Sequence, residues 1–162
     1  MPRHLVWVFD LDNTLHNANP HIFPHLNRAM TAYLQTHLGL NETAADALRQ
    51  HYWRKYGATI QGLLRHHATD PRHFLQHTHQ FPKLERMLLV QPGLRKMLKT
   101  LPGKKVVFSN SPAHYAAAVL KAMKIGHLFH NVFSIEKARY QPKPRPYAFW
   151  RLLEKIRMPP QR

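Results

Sequence analysis

Five apolar residues, Leu5-Val6-Trp7-Val8-Phe9, run without helical spacing straight into Asp10-Leu11-Asp12, and this junction constrains the fold more than any other stretch of the chain. A short β-branched and aromatic run of this kind reads as a strand buried on both faces, the sort found in parallel sheets covered by helices. Extended geometry puts residues i and i+2 on the same side, so both carboxylates are expected at the carboxyl edge, where open α/β sheets place their ligands. Two close carboxylates need a cation or a shared proton, because both cannot ionise cheaply together. For a hard, oxygen-only site in a chain with no Cys, Mg²⁺ is the natural cation. A structural role remains open at this point, with Asp10 closing the strand and Asp12 turning onto Thr14.

Downstream the rhythm changes. Leu26, Met30, Tyr33, Leu34 and Leu38 recur at three- and four-residue steps, and Gly39 closes that helix. A second helix is expected from about 43 to 56 with Gly57 as its stop, and Asp70-Pro71 reads as an N-cap followed by Pro at the first helical position. After Pro92-Gly93 come an amphipathic helix (Leu94, Met97, Leu98, Leu101) and a strand at Val106-Val107-Phe108. They are followed by an Ala-rich helix over 112–125 closed by Gly126, a strand over 132–135 and a helix over 147–156. Strands alternating with helices predict an α/β fold, a Rossmann-like parallel sheet with a helical insertion after the first strand. The core is expected over 1–16 and 89–162, and the helical cap over 17–88.

Composition narrows the function classes. With 24 Lys plus Arg against 8 Asp plus Glu, the formal charge is +16. An average protein of this length carries roughly 20 charges of each sign, so the imbalance is chiefly a deficit of acids. The bases are scattered from Arg3 to Arg162, which argues against a specific nucleic-acid surface and leaves nonspecific adhesion to polyanions. The absence of Cys excludes disulfide scaffolds and thiolate sites. No apolar run reaches ~18 residues or forms a secretory signal, so the expectation is a cytoplasmic protein with no membrane segment.

Two further strand-end features join the first. Ser109-Asn110 ends a strand and precedes a helix whose amides favour an anion, although Asn110 or Ser111 could equally serve as an ordinary helix cap. Lys143 lies between Pro142 and Pro144, whose rings stiffen the backbone and suit a cation held toward a fixed point.

In this order and spacing, Phe9-Asp10-Leu11-Asp12-Asn13-Thr14-Leu15, Val107-Phe108-Ser109-Asn110 and Lys143-Pro144 resemble the haloacid dehalogenase superfamily of phosphohydrolases. Tyr52 to Gly57, Pro92-Gly93-Leu94 and the segment from Glu136 to Pro144 look like its pyrimidine 5′-nucleotidase branch. The resemblance implies that Asp10 is the nucleophile, forming an aspartyl-phosphate that water hydrolyses. It implies that Asp12 is the general acid and base. Thr14 would brace the loop, and Ser109, Asn110 and Lys143 would bind the phosphoryl group. Mg²⁺ would sit on the Asp10 carboxylate and the Asp12 backbone carbonyl, and the substrate would be a small phosphate monoester of the nucleoside monophosphate type.

The superfamily adds a fourth motif, a strand ending in acidic residues. Here no Asp follows Asp70, and Pro159-Pro160-Gln161-Arg162 stands where that strand would begin. The expectation is therefore a C-terminally truncated core with an impaired metal site. Its alternative is an inactive remnant that binds anions or a partner chain. The first strand would then have an open edge, favouring self-association, with Pro159 to Arg162 as the other candidate cover. Among 14 histidines, His73 and His77 at i and i+4 could face one metal, but no carboxylate or Cys joins them except Asp70, and a solvated cap helix is the expectation. Tyr52, Trp53 and Tyr56 span one helical turn and are expected to pack the cap, with a nucleoside-binding role as the alternative.

Overall fold

The computed structural model describes residues 5–157. Three strands, β1 (Val6–Phe9), β2 (Lys104–Phe108) and β3 (Asn131–Phe133), form a parallel sheet in the order β1-β2-β3. Phe9 pairs with Val107 and Phe108 with Phe133, so Asp10 and Ser109 leave the sheet side by side at its carboxyl edge. The central strand β2 is buried from Lys105 to Phe108, as an interior parallel strand must be. One face carries a core that includes Leu11, Leu98, Val107, Val119 and Ile125, and the other carries Val106, Phe108, Phe133, Ala148 and Leu152.

Between β1 and β2 the chain builds α1 (Ile22–Leu38), α2 (Glu42–Tyr56), α3 (Thr59–His66), α4 (Pro71–Thr78), α5 (Leu84–Met87) and α6 (Leu94–Thr100). The stop signals behave as the sequence predicts. Gly39 and Gly57 take the left-handed conformation at φ 66° and 81°, and the Asp70 side chain caps the Arg72 amide ahead of Pro71. The separate helix α3 was not foreseen. Gly57 reverses the chain, and Gly62 lets α3 lie directly on Tyr52: a Cβ there would meet the Tyr52 ring at 2.0 Å. Helices α1 to α4 share a second core around Leu34, Tyr52, Leu63 and Phe74, which Ile135 from beyond β3 joins. The stretch leaving β1 and the stretch returning from the helices adjoin, with the Asn17 amide donating to the Leu89 carbonyl at 2.8 Å.

The last elements are α7 (Ala113–Ala122) and α8 (Pro146–Ile156). Helix α7 stops short of the expected 125 because Lys124 turns to φ 56°, which brings Ile125 into the core at 1% exposure, and Gly126 opens a 3-10 turn instead of closing the helix. The expected strand over 132–135 ends at Phe133, and the Ile135 amide turns to the Ser111 carbonyl. Among the described residues β1 is an outer strand. Val6 packs in the core beside α8, whereas Val8 is 46% exposed. The tail residues Pro159 to Arg162 lie outside the described residues. No described helix is long and apolar enough to cross a membrane.

Candidate active site

Asp10 is the first residue beyond β1. Its Oδ1 accepts from Lys143 Nζ at 2.6 Å and its Oδ2 from the Thr14 hydroxyl at 3.3 Å. The turn that returns Thr14 to Asp10 is held by the Leu15 amide donating to the Leu11 carbonyl at 2.9 Å. Asn13, at φ 63°, fixes it further by accepting from the Ala18 amide. The Asp10 side chain remains 44% exposed, open to an incoming group.

Lys143 reaches Asp10 from the far side of the sheet. Its ammonium also donates to the Phe108 carbonyl at 2.6 Å and lies 4.8 Å from the Phe108 ring centre. Asn110 holds its backbone at two points: Oδ1 accepts from the Lys143 amide at 2.7 Å, and Nδ2 donates to the Lys143 carbonyl at 3.2 Å. The sequence placed Asn110 on the phosphoryl group, and the structure commits its side chain to Lys143. Ser109 is 2% exposed, and its hydroxyl accepts from the Ser111 amide at 2.9 Å. Neither Asn110 nor Ser111 caps α7. Pro112 occupies that position, and the Glu136 carboxylate takes the Ala113 amide at 3.1 Å through each oxygen. The first amide of the expected anion-binding terminus thus already has an acidic partner.

Asp12 is placed quite differently from Asp10. Its Oδ1 accepts from the Tyr115 hydroxyl at 2.7 Å and lies 3.0 Å from His16 Nε2, and its Oδ2 accepts from the Ser111 hydroxyl at 2.8 Å. Burial pushes this carboxyl up, but the hydrogen bonds from His16, Tyr115 and Ser111 together outweigh it and hold the group below the usual carboxylate range. The turn of Asp12 onto Thr14 is absent; Thr14 bonds Asp10 instead. The two carboxylates are therefore partnered by separate means, one by a lysine and a threonine hydroxyl and the other by three donors. His16, Ser111 and Tyr115 carried no sequence signal toward Asp12. Burial and the Asp12 charge raise the Tyr115 phenol well above its ordinary value.

Beside Asn110 and Ser111 opens a cavity of about 510 Å³, walled by Phe23, Met30, Trp53, Ile60 and Phe74. Its polar rim is already internally paired. Arg49 donates to Asp46 at 2.6 Å and to Asn27 at 3.0 Å, and Gln50 donates to Asp46 at 2.6 Å. Of the three helical aromatics, Tyr52 is in the core and bonds His67, Tyr56 bonds His66, and Trp53 is 62% exposed and borders the cavity. The His73 and His77 rings lie 3.9 Å apart between centres, tilted by 34°, with His73 bonded to the Tyr33 hydroxyl. Among the described residues no group of three His, Cys, Asp or Glu is arranged to hold a metal ion.

A parallel layer with a carboxylate and a lysine meeting at its strand ends, and a helical block beside them, defines an α/β domain of the kind that binds its ligand at that edge. A family model described as a hydrolase, haloacid dehalogenase-like hydrolase, matches residues 6–162, and the chain belongs to that family. It is 26% identical over 141 residues to phosphate metabolism protein 8 of Saccharomyces cerevisiae, covering 81% of this chain and 43% of that protein, less than half of the relative's length. Among solved structures, the L-2-haloacid dehalogenase of Xanthobacter autotrophicus with chloropropionic acid covalently bound matches 98% of this chain and 67% of its own, at TM-score 0.54 and 18% identity. A HAD phosphatase from Thermococcus onnurineus matches 96% of this chain and 72% of its own, at TM-score 0.52 and 20% identity. These structural likenesses establish the fold.

Proposed function

We propose that this hydrolase is a Mg²⁺-dependent phosphomonoesterase that works through a phosphoryl group carried on Asp10. The observation that supports it most is the half-exposed Asp10 carboxylate held between Lys143 and Thr14 at the carboxyl edge of the sheet. Asp10 attacks phosphorus, forming the acyl-phosphate bond as the ester P–O bond breaks; Asp12, held ionised here by His16, Tyr115 and Ser111, takes up a proton from solvent as substrate binds and gives it to the departing oxygen. Asp12 then takes a proton from water as the water attacks phosphorus, releasing phosphate and restoring Asp10. Lys143 and Ser109 neutralise charge on the phosphoryl oxygens, Asn110 holds Lys143, and Thr14 fixes the Asp10 carboxylate. The donor set suits Mg²⁺, which takes one or two carboxylates and keeps several waters. Asp10 Oδ2, which accepts only from the Thr14 hydroxyl at 3.3 Å on a side chain 44% exposed, would take the ion; the Asp12 carboxylate is fully engaged, which leaves its backbone carbonyl as the second ligand. When bound, the ion supplies positive charge to the transferring group.

Helices within residues 17–88 act as a cap over a core of 1–16 and 89–162, and the leaving group occupies the apolar cavity between them. A cavity walled by Phe23, Trp53 and Phe74, with Arg49 already neutralised by Asp46, favours an uncharged, flat leaving group such as a nucleoside over one bearing a second anion. The outer position of β1 among the described residues favours pairing with a second copy of the chain. The test of the catalytic reading is turnover of a phosphate monoester panel with and without Mg²⁺, in the natural chain and Asp10→Asn. Mg²⁺-dependent release of phosphate, highest with nucleoside monophosphates and abolished in Asp10→Asn, supports it. Undiminished turnover in a folded Asp10→Asn refutes it.

A further inference from the structure

We propose that Tyr115 is a positioning residue that aims the Asp12 carboxylate and ties that aim to the segment returning from the helical block. The proposal rests on the reading of Asp12 as the proton donor to the leaving group. Tyr115 sits on α7, 2% exposed, with its hydroxyl 2.7 Å from Asp12 Oδ1. The phenol oxygen is fixed in place by a ring that is itself packed. That ring lies 5.0 Å from the Phe81 ring and 5.8 Å from the His79 ring, centre to centre.

His79 and Phe81 belong to the stretch that leaves α4 and heads back to the sheet, and that stretch is itself gripped. His79 is 6% exposed, with its Nδ1 3.0 Å from the Thr78 hydroxyl, and its amide donates to the Leu75 carbonyl. On α1, His25 packs on Phe81 at 4.7 Å and its Nε2 lies 2.8 Å from the Gln80 carbonyl. A shift of α1 or α4 is therefore passed through Phe81 and the Tyr115 ring to one oxygen of Asp12. His16, by contrast, lies only four residues from Asp12 on the same turn. Tyr115 is thus the contact that makes proton delivery depend on where the helical block stands.

The test uses aryl phosphates of nearly one shape, from 4-nitrophenyl to phenyl. A good leaving group departs without a proton and a poor one needs it, so a misaimed acid is felt selectively. In Tyr115→Phe, which keeps the ring and loses the hydroxyl, kcat for phenyl phosphate is expected to fall ~10-fold and kcat for 4-nitrophenyl phosphate by less than ~3-fold, with KM little changed, as for loss of one hydrogen bond to a general acid. The same substitution in an Asp12→Asn background is expected to add nothing. Equal losses with both substrates, or the same loss without Asp12, overturn the proposal and mark Tyr115 as merely structural. An Asp12→Asn variant that keeps full activity on phenyl phosphate overturns the underlying reading of Asp12 instead. If Tyr115→Phe does not fold, Phe81→Leu keeps the hydroxyl and loosens the ring: a loss selective for phenyl phosphate supports the link, and an unselective one refutes it.

Discussion

Asn110→Ala separates two roles that the sequence could not distinguish, gripping phosphate and holding Lys143. The structure gives Asn110 two hydrogen bonds to the Lys143 backbone, at 2.7 and 3.2 Å. Each is worth about 0.5–1.5 kcal/mol net, so a Lys143 released from both loses about 1–3 kcal/mol of alignment, or ~5- to 150-fold in rate if all of it is expressed in the transition state. Both bonds face solvent, which sets the expectation at the lower end, roughly 5- to 20-fold in kcat. The assay is steady-state phosphate release with Mg²⁺, run as a cycle of Asn110→Ala, Lys143→Met and the double variant, with circular dichroism to confirm folding. If Asn110 acts through Lys143, its removal costs nothing further once the lysine is gone. The same loss in both backgrounds would refute the clamp and return Asn110 to the phosphoryl group itself.

Gly62→Ala is expected to destabilise the chain by about 2–3 kcal/mol, since its Cβ would stand 2.0 Å from the Tyr52 ring between α2 and α3; unchanged urea unfolding contradicts that packing. Burial and the neighbouring His114 push His79 down to about 3, against the opposing pull of Asp12 and the Leu75 backbone. The folded state thus stays neutral while the unfolded chain takes up a proton below about 6.5. Stability is fully present above that pH and is lost toward pH 3, at up to ~1.4 kcal/mol per pH unit. His79→Leu is therefore expected to unfold with a flatter dependence between pH 7 and 5, and an unchanged slope counts against the assignment. Light scattering is expected to show concentration-dependent association that Val8→Lys suppresses; a chain that stays monomeric at high concentration removes the β1 edge as an interface.

What could be read from the sequence was whatever is carried by neighbours in the chain. The strand at β1, the strand-end position of Asp10 and the caps at Gly39, Gly57 and Asp70 follow from local signals: a continuous apolar run, a glycine after a periodic stretch, an aspartate before a proline. No local signal joins Asp10 to Lys143, 133 residues away in sequence; only the resemblance to the haloacid dehalogenase superfamily put the two in one site. The surroundings of Asp12 were illegible because Ser111 and Tyr115 lie 99 and 103 residues from it, and nothing in Ser-Pro-Ala-His-Tyr announces a partner. Asn110 is ambiguous for a related reason: a side chain amide at a strand end suits an anion and a backbone equally well, and the structure sets it on the Lys143 backbone. The end of α7 was missed because the drive to bury Ile125 overrode an otherwise helical pattern.

Whether Asp10 carries the phosphoryl group is decided by rapid acid quenching of a single turnover followed by mass spectrometry of the proteolysed chain. A transient phosphoryl adduct is expected on the peptide containing Asp10, released by hydroxylamine as an acyl phosphate must be and absent in Asp10→Asn. Phosphate released at full rate with no adduct on that peptide, or an adduct that forms elsewhere and survives hydroxylamine, would contradict it.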